Sequence, residues 1–311
     1  MEEPVEFQHN HTLALNPHNL KRVYGVNIEF NEEGKEKQSL RFDLEVLAKK
    51  NDENKTWLFQ FDRRNVFINL KKPDTIADKL AYECGQVIYP LQIEVTNNWS
   101  KRTIKSRPLA IEQLKKLEEK IKMTYKSSHI DTYFLKTWET INNPASFVKA
   151  VEQNMFLSFF FAPLYQQYNT LTNIVENTLP IPIIPFCKAI SYNVKQKVLP
   201  KYTRFNTITV VQKGIIEDKR SIKDLENKFD DPIFKKESEA DNLLGELNAK
   251  YELHKETRVI QSLTVDASIK LKDNKTKSFN MQVYYLSERD KIANQSVFHQ
   301  IPILKKETNV E

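Results

Sequence analysis

The sequence predicts an α+β fold in which two antiparallel meander sheets, one from each end of the chain, pack on a central helical bundle. Apolar residues alternate with polar residues over residues 21–106 and again over 191–290, which is typical of strands with one buried face. Between them, residues 107–178 carry apolar residues at three- and four-residue spacing, which is typical of amphipathic helices. Within this stretch, Pro144–Tyr165 becomes apolar on every face, so we expect the central core helix there.

The N-terminal β region, residues 21–106, follows a polar arm over residues 1–20. Polar turns separate its first three strands, so we expect an antiparallel meander. The strands are indicated by these alternating apolar residues: Tyr24, Val26, Ile28, Phe30, Leu40, Phe42, Leu44, Val46, Trp57, Phe59 and Phe61.

One short helix is expected after the third strand. Thr75 or Asp74 can cap its first turn, and Gly85 is a suitable residue for its end. The alternation then resumes over residues 87–95. Pro90 lacks a backbone N–H, which favours an edge strand or a bulge at this point.

The central helical region, residues 107–178, contains four predicted helices. The apolar faces of the first two are formed by these residues: Ile111, Leu114, Leu117, Ile121, Tyr125, Ile130, Phe134, Trp138 and Ile141. The third helix begins at Pro144, which suits a first turn, and ends near Phe161 because Pro163 cannot continue it. A shorter fourth helix is predicted over residues 165–175.

A Pro-rich apolar connector, residues 179–190, leads into the C-terminal β region. Its prolines make it extended and stiff, and its apolar side chains should lie against the body of the protein. The C-terminal β region, residues 191–290, contains a charged insertion over residues 217–250. A polar tail over residues 291–311 ends the chain.

The two β regions contain similar hairpins and are interpreted as a degenerate repeat, with convergence of unrelated hairpins as the alternative. Leu44–Asp62 and Ala267–Tyr285 each run from an aliphatic strand, through a turn with Asn-Lys-Thr, to an aromatic strand. The order of strands, helices and strands resembles that of bacterial lipoprotein carriers and other open half-barrels, in which curved antiparallel sheets wrap on helices. The resemblance is one of pattern order, contains no motif of those families and assigns no residues.

Catalytic and cofactor motifs are missing from the sequence. The 5 glycines are far apart, which excludes a P-loop and a dinucleotide fingerprint, and no nucleophile elbow or zincin motif occurs. We therefore assign no catalytic residue, no cofactor and no metal site. The net charge of +6 is spread in Lys pairs among acidic residues, so no nucleic-acid partner is expected.

Two sets of side chains are candidate binding residues. Six side chains on the aromatic strands would line an apolar cavity if the helices leave the sheets uncovered, and would otherwise be core. These are Trp57, Phe59, Phe61, Phe279, Met281 and Tyr285. Arg63 and Arg64 follow the third strand and form a candidate anion-binding pair, with an exposed strand-end turn as the alternative.

The favoured function is a non-enzymatic interaction or scaffold protein, a subunit or adaptor of a larger assembly with a protein partner. The alternative is a carrier or sensor of a hydrophobic small molecule held between curved sheets and helices. An enzyme whose site forms only on folding is the least favoured hypothesis.

The cellular location is predicted from three features of the sequence. The sequence contains no signal peptide and no apolar run long enough to span a membrane, so we expect a cytoplasmic protein. Cys84 and Cys187 are expected to be reduced core thiols, with one structural disulfide as the alternative.

Overall fold

A computed structural model describes residues 3–16, 20–51, 56–96, 102–236, 241–271 and 275–286. The predicted tail over residues 291–311 lies outside the described residues, as do residues 52–55 and 272–274 in the two Asn-Lys-Thr turns. Across the described part of the chain, the helices are too short or too polar to cross a lipid bilayer. The cytoplasmic location stays a prediction.

The fold is α+β, and the described strands form one antiparallel sheet of 11 strands. In chain order the strands are β1 (Lys21–Glu32), β2 (Gln38–Asn51), β3 (Thr56–Ile68), β4 (Leu91–Thr96), β5 (Arg102–Ile104), β6 (Ile174–Ile181), β7 (Ile190–Val198), β8 (Thr207–Ile216), β9 (Glu246–His254), β10 (Ile260–Lys270) and β11 (Thr276–Tyr285). Their order across the sheet is β5-β4-β3-β2-β1-β11-β10-β9-β8-β7-β6.

The predicted pair of separate sheets is not confirmed, because strands β1 and β11 pair in the middle. Val26 lies opposite Val283, and the pairing continues from Tyr24 with Tyr285 to Glu32 with Lys277. Each strand would otherwise leave a long unpaired edge, and an open edge of this kind pairs readily with another strand. The two meanders therefore continue each other across this central seam.

One face of the sheet is buried and the other faces solvent, as the alternation predicted. Val26, Leu44 and Phe61 are among the inward side chains and are almost inaccessible. The outer face carries ion pairs such as Lys37 with Glu29, in which the nitrogen and oxygen are 2.5 Å apart. Such exposed pairs keep the outer face polar and contribute little to stability.

Six α-helices occur in the described part of the chain: α1 (Ile76–Gln86), α2 (Arg107–Thr124), α3 (Ser128–Asn142), α4 (Pro144–Glu152), α5 (Met155–Phe160) and α6 (Ile222–Glu226). The Thr75 side chain caps α1 by accepting the backbone N–H of Asp78. Ser127 caps α3 in the same way by accepting the N–H of His129. The Thr75 cap and the extents of α1, α2 and α3 agree with the sequence patterns.

The predicted single core helix is two helices, α4 and α5. The Asn154 side chain accepts the N–H of Leu157 at 3.2 Å, which starts a new helix in the middle of the apolar segment. The predicted fourth helix is absent from the described residues. Instead, the Asn169 side chain holds a turn by accepting two backbone N–H groups, and the edge strand β6 begins at Ile174.

Helix α5 fills the central part of the inner face. The Phe160 ring lies 5.8 Å from that of Phe59 and 5.4 Å from that of Phe61. On the other side of the seam, the Tyr251 hydroxyl donates to the carbonyl of Phe159. One short helix therefore contacts strands from both ends of the chain, and the core lies between α5 and the sheet.

The predicted connector begins inside strand β6, where Pro180 is tolerated because β6 is an edge strand. Ile183 and Ile184 are buried, so the connector packs against the body as expected. Within its described residues, the charged insertion predicted over residues 217–250 contains regular secondary structure. It contains α6, and β9 begins within it at Glu246.

Candidate ligand cavity

The aromatic residues proposed as a cavity lining lie mostly in the core. Phe59, Phe61, Phe279 and Met281 are at most 2% exposed, and the first three have ring contacts with α5 or Phe161. Trp57 and Tyr285 are partly buried and pack against this core. The Arg22 guanidinium lies 4.4 Å from the centre of the Tyr285 ring. None of the six lines the cavity described next, so their ligand-binding role stays a prediction.

A cavity of about 610 Å³ lies at the turn end of the β1–β2 hairpin, beyond the part of the inner face that α5 covers. We call it the hairpin-end cavity. The apolar part of its strand wall consists of Ile28, Phe30, Leu40 and Phe42. Its volume is within the range of about 300 to 1,000 Å³ that is typical of small-molecule sites.

Helix α4 forms a second wall through one of its faces. Ser146, Lys149 and Ala150 line the cavity at the three- and four-residue spacing of one helical face, and Gln153, directly after the helix, continues this wall. The opposite face carries the buried Phe147 and Val151, which hold α4 in the core. Ala150 is exposed, so this wall borders solvent and gives access to the cavity.

The connector supplies Pro182, Pro185 and Phe186 to the lining. Phe186 is 76% exposed and has a left-handed backbone, with φ of 66°. This conformation is unfavourable for a bulky side chain and is often found at binding sites. An exposed aromatic ring in a strained position at the cavity edge is suited to contact an apolar ligand.

The C-terminal end of the connector is fixed to α4 and to the insertion. The Gln153 side chain donates to the Cys187 carbonyl at 2.8 Å. Arg220 donates to the carbonyls of Lys188 and Ala189, at 3.0 and 3.1 Å. Its charge is balanced by Asp218 at 2.7 Å. The insertion therefore helps to hold the connector in place beside the cavity.

The two arginines predicted as an anion-binding pair are not brought together. Arg64 lies on the outer face and forms ion pairs with Asp62 at 2.6 Å and Glu45 at 2.7 Å. Arg63 lines the cavity, because successive side chains of strand β3 point to opposite faces. The two guanidinium groups therefore have different environments, and only that of Arg63 can contact a ligand in the cavity.

Arg63 is held by α1 and the residues after it. Its Nε donates to Gln86 Oε1 at 2.7 Å, and its Nη2 donates to the Gly85 carbonyl at 3.0 Å. The Gln86 amide donates back to the Arg63 carbonyl at 2.9 Å. The guanidinium also lies 4.8 Å from the centre of the Tyr89 ring. These contacts fix its position at the cavity.

A second concavity, of about 1040 Å³, lies on the outer face beside residues 203–207. Its lining is mainly polar, and Glu252 within it already accepts hydrogen bonds from Thr207 and Thr209. Although larger, it offers few apolar side chains. The hairpin-end cavity is therefore the better candidate for a hydrophobic ligand.

Sequence reasoning missed the walls formed by α4 and the connector. One signal was available: Ser146 and Ala150 place small side chains on one face of a helix whose other face carries Phe147 and Val151. Small residues on a core helix leave space where large ones would fill it. The sequence does not reveal what lies opposite this face, because strands β1 and β2 are far away along the chain.

Neither cysteine is placed for chemistry. Cys84 and Cys187 are both free and buried. Burial raises the pKa of the Cys84 thiol to about 11 and also raises that of Cys187, so both are protonated at neutral pH. Clusters of three or more metal-ligating side chains are absent from the described ranges.

Comparisons with known proteins found similar chains among the solved structures. No family model matches the sequence, and the search of curated proteins found no match. Among solved structures, a similar chain is a LolA superfamily protein from Nitrosomonas europaea. The two chains are 8% identical, with 88% of this chain and 89% of that chain covered and a TM-score of 0.18.

Proposed function

We propose that the protein binds and carries a small hydrophobic molecule in the hairpin-end cavity. The observation that supports this most directly is a cavity of about 610 Å³ walled by apolar strand and connector side chains. Four such side chains are Ile28, Phe30, Leu40 and Phe42, with Phe186 at the edge. A ligand that displaces water from these surfaces gains about 25 cal/mol for each Å² of apolar area buried.

The position of the cavity also favours a carrier. It lies where α4 and the connector meet the sheet, and it borders solvent at Ala150, so a ligand can enter without unfolding the core. The hypothesis of a scaffold with a protein partner stays a prediction. Size-exclusion chromatography with light scattering tests it, and a larger assembly with a specific partner would support it.

The first experiment fills the cavity with a side chain. Ala150→Trp should weaken binding of an apolar fluorescent probe at least about tenfold, because an indole occupies the space between α4 and the strands. Ala145→Trp is the matched control, since Ala145 is exposed on the same helix and does not line the cavity. It should leave the affinity unchanged.

Fluorescence titration measures the probe affinity, and mass spectrometry of organic extracts identifies any molecule that copurifies. Thermal unfolding without the probe shows whether both variants are folded. Equal probe binding by wild type and the Ala150 variant would contradict the proposal, as would a wild-type protein that binds no apolar probe.

A further inference from the structure

We infer that the molecule held in the hairpin-end cavity is an amphiphile with an anionic headgroup. Arg63 binds its carboxylate or phosphate, and the apolar walls of β1, β2 and the connector take its hydrocarbon chain. This inference rests on the proposed function and adds the chemical class of the ligand. It is carried by the charge of the cavity lining and by the way in which Arg63 is held.

The charge of the lining is positive. Arg63 and Lys149 line the cavity, whereas the described lining contains no Asp or Glu. Lys149 is already ion-paired with Asp230, so its charge is largely compensated. Within the described ranges, no carboxylate lies at ion-pair distance from Arg63. The half-buried Arg63 is thus the cation that a ligand anion can neutralise.

The contacts of Arg63 orient it without neutralising it. Gln86 Oε1, the Gly85 carbonyl and the Tyr89 ring are all uncharged partners. They use Nε and one Nη2 donor, and Nη1 has no acceptor among the described residues. A guanidinium has five N–H donors in a planar fork, so the remaining donors can contact two oxygens of a carboxylate or phosphate.

Energetics favour an anionic partner at this position. A partly buried cation loses hydration, and neutral hydrogen-bond acceptors restore only part of that loss. A bound anion adds charge-assisted hydrogen bonds, which are about twice as strong as neutral ones. Because Arg63 is fixed before the ligand arrives, little side-chain entropy is lost on binding.

The experiment compares three probes with the same oleoyl chain: oleate, oleoyl lysophosphatidate and uncharged monoolein. Wild type should bind the two anionic probes at least about tenfold more tightly than monoolein. Arg63→Met should remove this preference while keeping monoolein affinity within about twofold. Arg63→Lys should keep part of the preference, because it keeps the charge but loses the planar fork.

Arg64→Met is the matched control, because Arg64 is the adjacent residue on the same strand and lies on the outer face. It should leave the affinity for all three probes unchanged. Calorimetry measures binding, and thermal unfolding without ligand shows whether each variant is folded. If Arg63→Met does not fold, the wild-type comparison of oleate with monoolein decides alone.

The outcomes separate this inference from the proposed function. Equal affinity of wild type for oleate and monoolein would contradict the inference of an anionic headgroup and would leave the proposed binding of a hydrophobic molecule unaffected. If wild type binds none of the three probes, the inference and the proposed function are both wrong. Acetate and inorganic phosphate serve as chain-free anions. If acetate or inorganic phosphate binds as tightly as the amphiphiles, the site binds free anions and the inference of an amphiphilic ligand is wrong.

Discussion

At the residue scale, Asp224 connects two segments of the highly charged insertion through hydrogen bonds of its side chain. Its side chain is fully buried and accepts hydrogen bonds from the backbone N–H groups of Ser221, Ile233 and Phe234 and from the Ser221 hydroxyl. Burial alone would raise the pKa of Asp224, but these four hydrogen bonds lower it to about 2. The carboxylate thereby ties α6 to the segment that follows it.

Asp224→Asn should lower the free energy of unfolding at neutral pH by about 2 kcal/mol, because charge-assisted hydrogen bonds become weaker and Ser221 loses an acceptor. The folded pKa is depressed. The contribution of the carboxylate is therefore complete above its unfolded value of about 3.9 and declines as the pH falls toward about 2.

Denaturant unfolding of both proteins at a series of pH values measures this difference. Glu226→Gln on the same helix is the control, since Glu226 is exposed, and it should change stability by less than about 0.5 kcal/mol. A difference between wild type and Asp224→Asn that grows as the pH falls would contradict the assignment.

Residue-level roles were only partly predictable from the sequence. The alternation of Phe59, Phe61 and Arg63 indicates that Arg63 shares the inward face. The placement of Arg63 and Arg64 on opposite faces of the sheet therefore follows from strand geometry. The uncharged partners of Arg63 could not be predicted. Gln86 belongs to helix α1, and only the tertiary fold places it against strand β3.

At the element scale, the break between α4 and α5 separates a cavity wall from a core helix. Phe147 and Val151 anchor α4, whereas Phe156, Phe159 and Phe160 anchor α5. A single continuous helix would place these two apolar sets along one straight axis. The break lets α5 fill the central core while α4 stands beside the connector.

Asn154→Ala should destabilise the protein by about 1 kcal/mol, because the first turn of α5 loses its side-chain cap. Asn142→Ala is the control, because the Asn142 side chain is exposed at the end of α3 and makes no hydrogen bond among the described residues. Chemical denaturation measures both effects. Equal changes in the two variants would contradict a capping role for Asn154.

Elements with strong periodicity were predictable, and elements defined by local polar residues were less so. The apolar pattern through Pro144–Tyr165 favours one helix, and the capping by Asn154 overrides it. The start of strand β9 could not be predicted from the sequence for a related reason. Its outward residues Glu246, Asn248 and Lys250 resemble the charged insertion before it, so the sequence pattern does not separate the inward residues Leu247 and Ala249 from that insertion.

At the scale of the whole molecule, the central seam turns two meanders into one structural unit. Strands β1 and β11 pair along nine residues each, from Tyr24 to Glu32 and from Lys277 to Tyr285. Helix α5 contacts both sides of the seam, through Phe61 and Phe279. Alternation predicted that these strands exist, but it does not say which strands pair, and so the single sheet was not predicted.

A destabilising substitution in one half of the sheet should therefore lower the stability of both halves. Val194 in β7 is fully buried, and Val194→Thr should cost about 1 to 3 kcal/mol by burying a hydroxyl. Hydrogen exchange should show the same loss of protection in β2 as in β8, because the sheet opens as one unit. Loss confined to β6–β9 would indicate two independently stable halves.

The seam also has a consequence for biosynthesis. Lys21–Glu32 emerges early from the ribosome, whereas Thr276–Tyr285 is the last of the described strands to emerge. Until β11 emerges, the edge of β1 that pairs with it is unpaired in the nascent chain, and neighbouring polypeptides can pair with this edge. Completion of the native sheet is thus a late event, and truncated translation products would be prone to aggregate through this edge.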